Sequence, residues 1–155
     1  ARISIRNEQK RFRPDLRAVR ALSAFVLGEE GAPEGEVSVL ITDNAGIQRL
    51  NRLWLKRDRP TDVLAFPAGS PGAFLGDVAV SAERAGEQAG RFGQSPAEEL
   101  ALCLVHGILH LFGYADHPPR RRREMARRER AILRRWEAAR LPREEFRAAR
   151  LRRRE

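Results

Sequence analysis

The segment from Pro96 to Phe112 constrains this chain most. It carries Leu100, Leu102, Leu104, Val105, Ile108, Leu109 and Leu111, so a helix here is apolar nearly all round. Such a helix has no polar face to give to water and belongs inside a domain, packed on several sides. Its start is plain: Ser95-Pro96-Ala97-Glu98 joins a capping serine, a proline at the first helical position and a glutamate that closes a capping box. Gly113 supplies its end. Within this run His106 and His110 stand four residues apart, on one helical face. Burying imidazoles costs desolvation unless something holds their nitrogens.

The third histidine of the chain, His117, follows the glycine turn, which brings the backbone back toward the helical pair. Three separately satisfied histidines are the ordinary alternative; three in one short segment with helical spacing favour a metal. Three neutral imidazoles leave a fourth position of a tetrahedral zinc open for water. One Zn2+ is therefore the expected cofactor, with His106, His110 and His117 as ligands. Zinc so bound lowers the pKa of its water from about 15.7 to about 7, which makes hydrolysis the default reaction class. Zinc proteases with two helical histidines and a third beyond a glycine turn need a glutamate after the first histidine as general base. Here that position is Gly107.

Around this helix the chain reads as short alternating elements. Strands are expected at Arg2–Arg6, Glu36–Thr42, Asp62–Phe66 and Leu75–Val80. Helices are expected from Pro14 to about Leu27, from Asp43 or Asn44 through Trp54, and from Ser81 to about Phe92. A last amphipathic helix spans about Arg121 to Leu141, with Met125, Ile132, Leu133 and Trp136 inward. The order is not a regular βαβ alternation. It predicts an α+β fold: a small four-stranded mixed sheet packed with about five helices, the metal-binding helix central and the whole zincin-like. Residues 1–141 are expected to form a single metal-dependent hydrolase domain and 142–155 a basic C-terminal tail, mostly charge with Phe146 and Leu151 and open to forming a loosely held helix.

Length suits one domain with a real core. No run is long enough for a membrane helix, and ARISIRNEQKRF has no apolar signal core, so a cytoplasmic protein is expected. The single cysteine, Cys103, excludes an internal disulfide framework and reads as a small core residue. The net charge of +9 is uneven. From Arg120 to Glu155 sixteen arginines face six glutamates, a net +10, whereas residues 1–119 carry fourteen basic and fifteen acidic groups. Such a field attracts a polyanion, nucleic acid above all, unless it is merely a solvated helix face.

HGILHLFGYADH resembles the HGxLHLxGYDH signature of the YbeY family of bacterial endoribonucleases and rRNA maturation factors. LNRLWLKRDRPTDVLAFP, LGDVAVSAERAGEQA and EELALCLVHG resemble that family's other segments in order, so residues 36–118 are covered. The resemblance implies a zinc-dependent, single-strand-preferring endoribonuclease acting in rRNA maturation and ribosome quality control. It implies zinc at His106, His110 and the third histidine, with RNA (an rRNA precursor) and the ribosomal small subunit as partners.

Two positions depart from the family pattern. Ala115 is one residue extra, so counting from His106 puts Asp116 in the third-histidine place and His117 one beyond. Either the turn absorbs Ala115 and His117 binds, with Asp116 orienting a ligand, or Asp116 itself binds; the histidine set favours the first. Leu55 stands where the family has an arginine tied to activity, and Arg59 is the first choice to meet phosphate instead, ahead of Lys56 and Arg57. Asp62 and Asp77 are carboxylates with structural roles first and general-base roles second. The competing readings are a non-catalytic ribosome-assembly factor with structural zinc and a peptide or ester metallohydrolase.

Overall fold

The computed structural model describes residues 1–152, with side chains through Arg140. The elements follow in the order β1 (Arg2–Asn7), α1 (Leu16–Glu29), β2 (Glu36–Thr42), α2 (Asn44–Leu55), β3 (Val63–Pro67), β4 (Phe74–Ser81), α3 (Ala82–Phe92), α4 (Pro96–Leu111) and α5 (Pro119–Arg152). Four helices begin on side chains that accept from orphan backbone donors: Asp15 from Ala18 N, Asp43 from Gly46 N, Ser81 from Arg84 N and Ser95 from Glu98 N. Pro14 thus precedes the cap of α1 and does not open the helix.

The strands form one mixed sheet in the order β1-β2-β4-β3. β1, β2 and β4 run parallel, and β3 lies antiparallel on the edge beside β4. Strand alternation divides the core between the two faces. Val37, Val39, Ile41, Val78 and Val80 turn toward α1, α4 and α5. Leu40, Leu64, Phe66 and Ala79 turn the other way, onto Ile47 and Leu50 of α2. α4 is central: it packs on β3 and β4 and touches α1, α3 and α5. Its buried residues include Leu100, Cys103, Leu104, Val105, Ile108 and Leu109, as a helix without a polar face requires.

Gly107 is the point of closest approach between α4 and the sheet. A Cβ there would lie 2.5 Å from Val78 Cγ1 and 2.8 Å from Val63 Cγ2, both branched and held in the core. Gly107→Ala should therefore destabilise the protein, although alanine is the better helix former by about 1 kcal/mol. Overpacking costs about 1–3 kcal/mol, so a net loss of up to about 2 kcal/mol is expected in urea unfolding, and a stabilised variant would refute the tight contact.

The last helix differs from expectation. It begins at Pro119 and continues past Pro142 to Arg152, not stopping near Leu141. Proline removes one backbone donor and its ring crowds the carbonyl four residues back, but its fixed φ of about −65° is helical, so a helix can run through it at a cost of about 3 kcal/mol. The side chains of Phe146 and Leu151, and residues 153–155, lie outside the described residues. No helix among the described residues is long and apolar enough to cross a membrane.

Candidate metal centre

His106 and His110 lie one turn apart on α4, both half-buried, with ring centroids 4.7 Å apart and planes at 77°. Their Nε2 atoms face each other at 3.0 Å. The turn after α4 adds the third group. Gly113 takes φ 93, where glycine carries no Cβ penalty, and Tyr114 N donates back to Leu109 O at 3.3 Å. The chain then delivers Asp116, whose Oδ2 lies 3.1 Å from His110 Nε2 and Oδ1 3.5 Å from His106 Nε2. One donor atom from each of His106, His110 and Asp116 fits within 4.8 Å of the others.

The outer ring nitrogens are already committed. His110 Nδ1 lies 2.8 Å from the carbonyl oxygen of Tyr114, and His106 Nδ1 is hydrogen-bonded to the Glu129 carboxylate of α5. Both partners only accept, so each Nδ1 carries the proton and each Nε2 presents a lone pair. Two lone pairs and a carboxylate then converge on one point, an arrangement that repels itself unless a proton or cation sits there. Donors on a tetrahedral zinc at about 2.0–2.1 Å stand about 3.3 Å apart, close to the observed nitrogen spacing. Metal-binding histidines commonly give their other N–H to a carboxylate or backbone carbonyl, as both do here. The donor set fits a divalent ion that takes imidazole and carboxylate ligands.

Burial alone would lower the His106 pKa, but the hydrogen bond and charge of Glu129, with Asp116 and Asp62, raise it above the ordinary imidazole value. The acidic surroundings thus favour positive charge at this spot. Asp62, just before β3, lies 3.9 Å from Cys103 Sγ. Burial, then the charges of Asp62 and Glu99, push the Cys103 thiol far up, so it stays protonated and inert, a core residue. Glu99 is buried on the same helix, its pKa raised by burial and by Asp62.

The other sequence-derived candidates lie apart from this cluster. His117, one residue past Asp116, is exposed and outside the group. Asp116 arrives beside the imidazoles, and His117 is carried beyond them. Arg59 is exposed; its carbonyl accepts from Asn51 Nδ2 at 2.9 Å, which ties the backbone of the 56–62 loop to α2. Leu55 ends α2 and is 46% exposed. Asp77 is exposed and shares its strand face with Ala79, away from α4.

Sequence reasoning missed the outer partners. Glu129 sits four residues after Met125 and three before Ile132, a carboxylate in the inward stripe of α5, and that misfit was its signal. Tyr114 contributes a carbonyl, which no side-chain pattern reveals. Its hydroxyl donates to Glu30 Oε2 at 3.1 Å, and Arg128 Nε donates to Glu30 Oε1 at 2.6 Å, tying the turn to α1 and α5.

Comparison with known proteins bears on the same residues. The family model described as Endoribonuclease YbeY matches residues 3–137, most of the chain. The chain belongs to the YbeY family. It is 41% identical over 123 residues to Endoribonuclease YbeY of Geobacter sulfurreducens, covering 75% of this chain and 81% of that protein. It is 45% identical over 128 residues to that of Roseiflexus sp. (strain RS-1), covering 74% and 79%. Against that of Anaeromyxobacter dehalogenans it is 40% identical over 121 residues, covering 76% of this chain and 63% of the relative's length. A solution structure from Thermotoga maritima shares the fold, with TM-score 0.60 and 24% identity over 88% of this chain and 93% of that one. The matched range includes His106, His110 and Asp116, the residues that converge here, and Ala115 lies in the turn between them.

Proposed function

We propose that this YbeY-family chain is a metal-dependent endoribonuclease that hydrolyses phosphodiester bonds in single-stranded RNA. The reading extends to maturation of a ribosomal RNA precursor on the small ribosomal subunit, in the cytoplasm, with one zinc ion. The observation that carries it is the meeting of the His106 and His110 lone pairs with Asp116, their outer nitrogens held by Tyr114 and Glu129. His106, His110 and Asp116 would hold the ion, and His117 stands next in line should the turn move. A divalent ion there supplies Lewis-acid polarisation of a phosphoryl oxygen and acidifies water.

The chain's own groups do the remaining work. Glu129 and the Tyr114 carbonyl keep both imidazoles in the tautomer that points Nε2 inward. Arg59, exposed on the loop leading to β3, would meet a substrate phosphate through its forked guanidinium. Gly107 faces Val78 and Val63, so no side chain at that position could serve as the general base of a zinc peptidase. That contact argues against the peptide-hydrolase reading.

One observation favours a second reading, a ribosome-assembly factor that binds RNA without cutting it. Leu55, where the family has arginine, offers no donor to a phosphate. Cleavage of a short rRNA fragment separates the two. Dialysis against a chelator should abolish cutting, and one equivalent of zinc should restore it. A zinc-loaded protein, verified by elemental analysis, that binds the fragment yet leaves it whole would overturn the nuclease reading.

A further inference from the structure

The excess positive charge is not spread evenly round α5. Arg120, Arg123, Arg127, Arg130 and Arg134 recur every three or four residues, which puts them on one helical face. All five are exposed, and among the described residues none has a carboxylate within ion-pair distance. Arg128 and Arg135, by contrast, are bound to Glu30 and Glu29 and clamp α5 onto α1. The inward side is Met125, Glu129 and Ile132, so the helix is seated by one face and leaves the arginines to solvent.

We infer that this arginine stripe is a track for the phosphate backbone of an RNA strand, separate from the metal centre but fixed to it by the same helix. At 1.5 Å per residue the stripe runs about 21 Å, with a cation every 4.5–6 Å or so. A regularly charged polymer matches five such guanidiniums in a row. An anionic membrane is the other surface of that charge, but such helices insert Trp, Phe or Leu beside their basic residues. Here the stripe's exposed neighbours are Glu124, Glu137 and Ala138. Taking RNA as the polyanion rests on the function proposed above; the existence of the track rests on the stripe alone.

The test is binding of a 20-nucleotide 2′-O-methyl RNA strand across a salt series, followed by fluorescence anisotropy. Neutralising four arginines in R123Q/R127Q/R130Q/R134Q should weaken binding. It should also make the slope of log K against log salt shallower by about 3, since each phosphate neutralised on a single strand contributes about 0.7 to that slope. Glutamine keeps helix propensity near that of arginine, and circular dichroism checks the fold. The four-lysine version should restore the slope. R13Q/R17Q/R49Q/R91Q, which removes equal charge from exposed positions elsewhere, should change it far less. On a cleavable strand the stripe variant should raise KM and leave kcat unchanged.

An unchanged slope in the stripe variant, or an equal drop in the scattered control, overturns the track. So does loss of binding to phosphatidylserine vesicles with RNA binding intact. Wild-type protein that shows the expected slopes without cutting RNA leaves the track standing and removes the nuclease reading. Cutting with identical slopes does the opposite.

Discussion

Replacing His110 with alanine should strip the ion from the protein and abolish RNA cleavage while the fold persists. The imidazole contributes one of three converging donors, and its loss leaves His106 and Asp116 facing an open site. Outer partners of metal ligands are worth about 10–100-fold in affinity, so loss of a ligand itself should exceed about a hundredfold. Isothermal titration with zinc at matched circular dichroism measures this. The same titration decides the third position: Asp116→Ala should weaken binding far more than His117→Ala, because only Asp116 lies beside both Nε2 atoms. The reverse order would mean that the turn rearranges when the ion enters.

The second large effect is expected from Glu129→Ala, a residue 23 positions from the histidine it holds. Without the carboxylate, His106 Nδ1 has no fixed acceptor, and the ring loses both its tautomer and the negative charge behind it. Zinc affinity should fall about 10–100-fold. Glu129→Gln should lie between, since its amide oxygen still accepts from Nδ1 but brings no charge. Zinc titrations of the three proteins check this. Equal affinities in all three would show that Glu129 merely fills the interface between α4 and α5.

Most of the fold was legible because its signals are local. Ser95-Pro96-Ala97-Glu98, the alternation in β2 and the periodicity of α2 each declare an element within a few residues, and these elements appear in place. α4 declared its centrality by lacking a polar face. The half of the metal centre that lies on α4 was legible for the same reason, two histidines at a helical interval. What lay hidden depended on distance or on a single residue of register. Asp116 and His117 differ by one step in a turn, and no pattern in the sequence says whether Ala115 bulges out. Glu129 could be seen as an inward carboxylate but not assigned a partner. Gly107 reads from sequence as a missing base, whereas the structure gives it a steric reason: the sheet leaves no room for a Cβ.

The clasp of Glu30, Tyr114 and Arg128 also bears on how small this machine could be made. Supports for the two imidazoles come from the end of the first helix, the turn and the last helix, not from the helix that bears the rings. A shortened chain that stops after the histidine signature would keep every residue of the motif but lose Glu129 behind His106 and Arg128 in the clasp. Minimal versions must therefore retain the sequence from α1 through at least Glu129, nearly the whole domain.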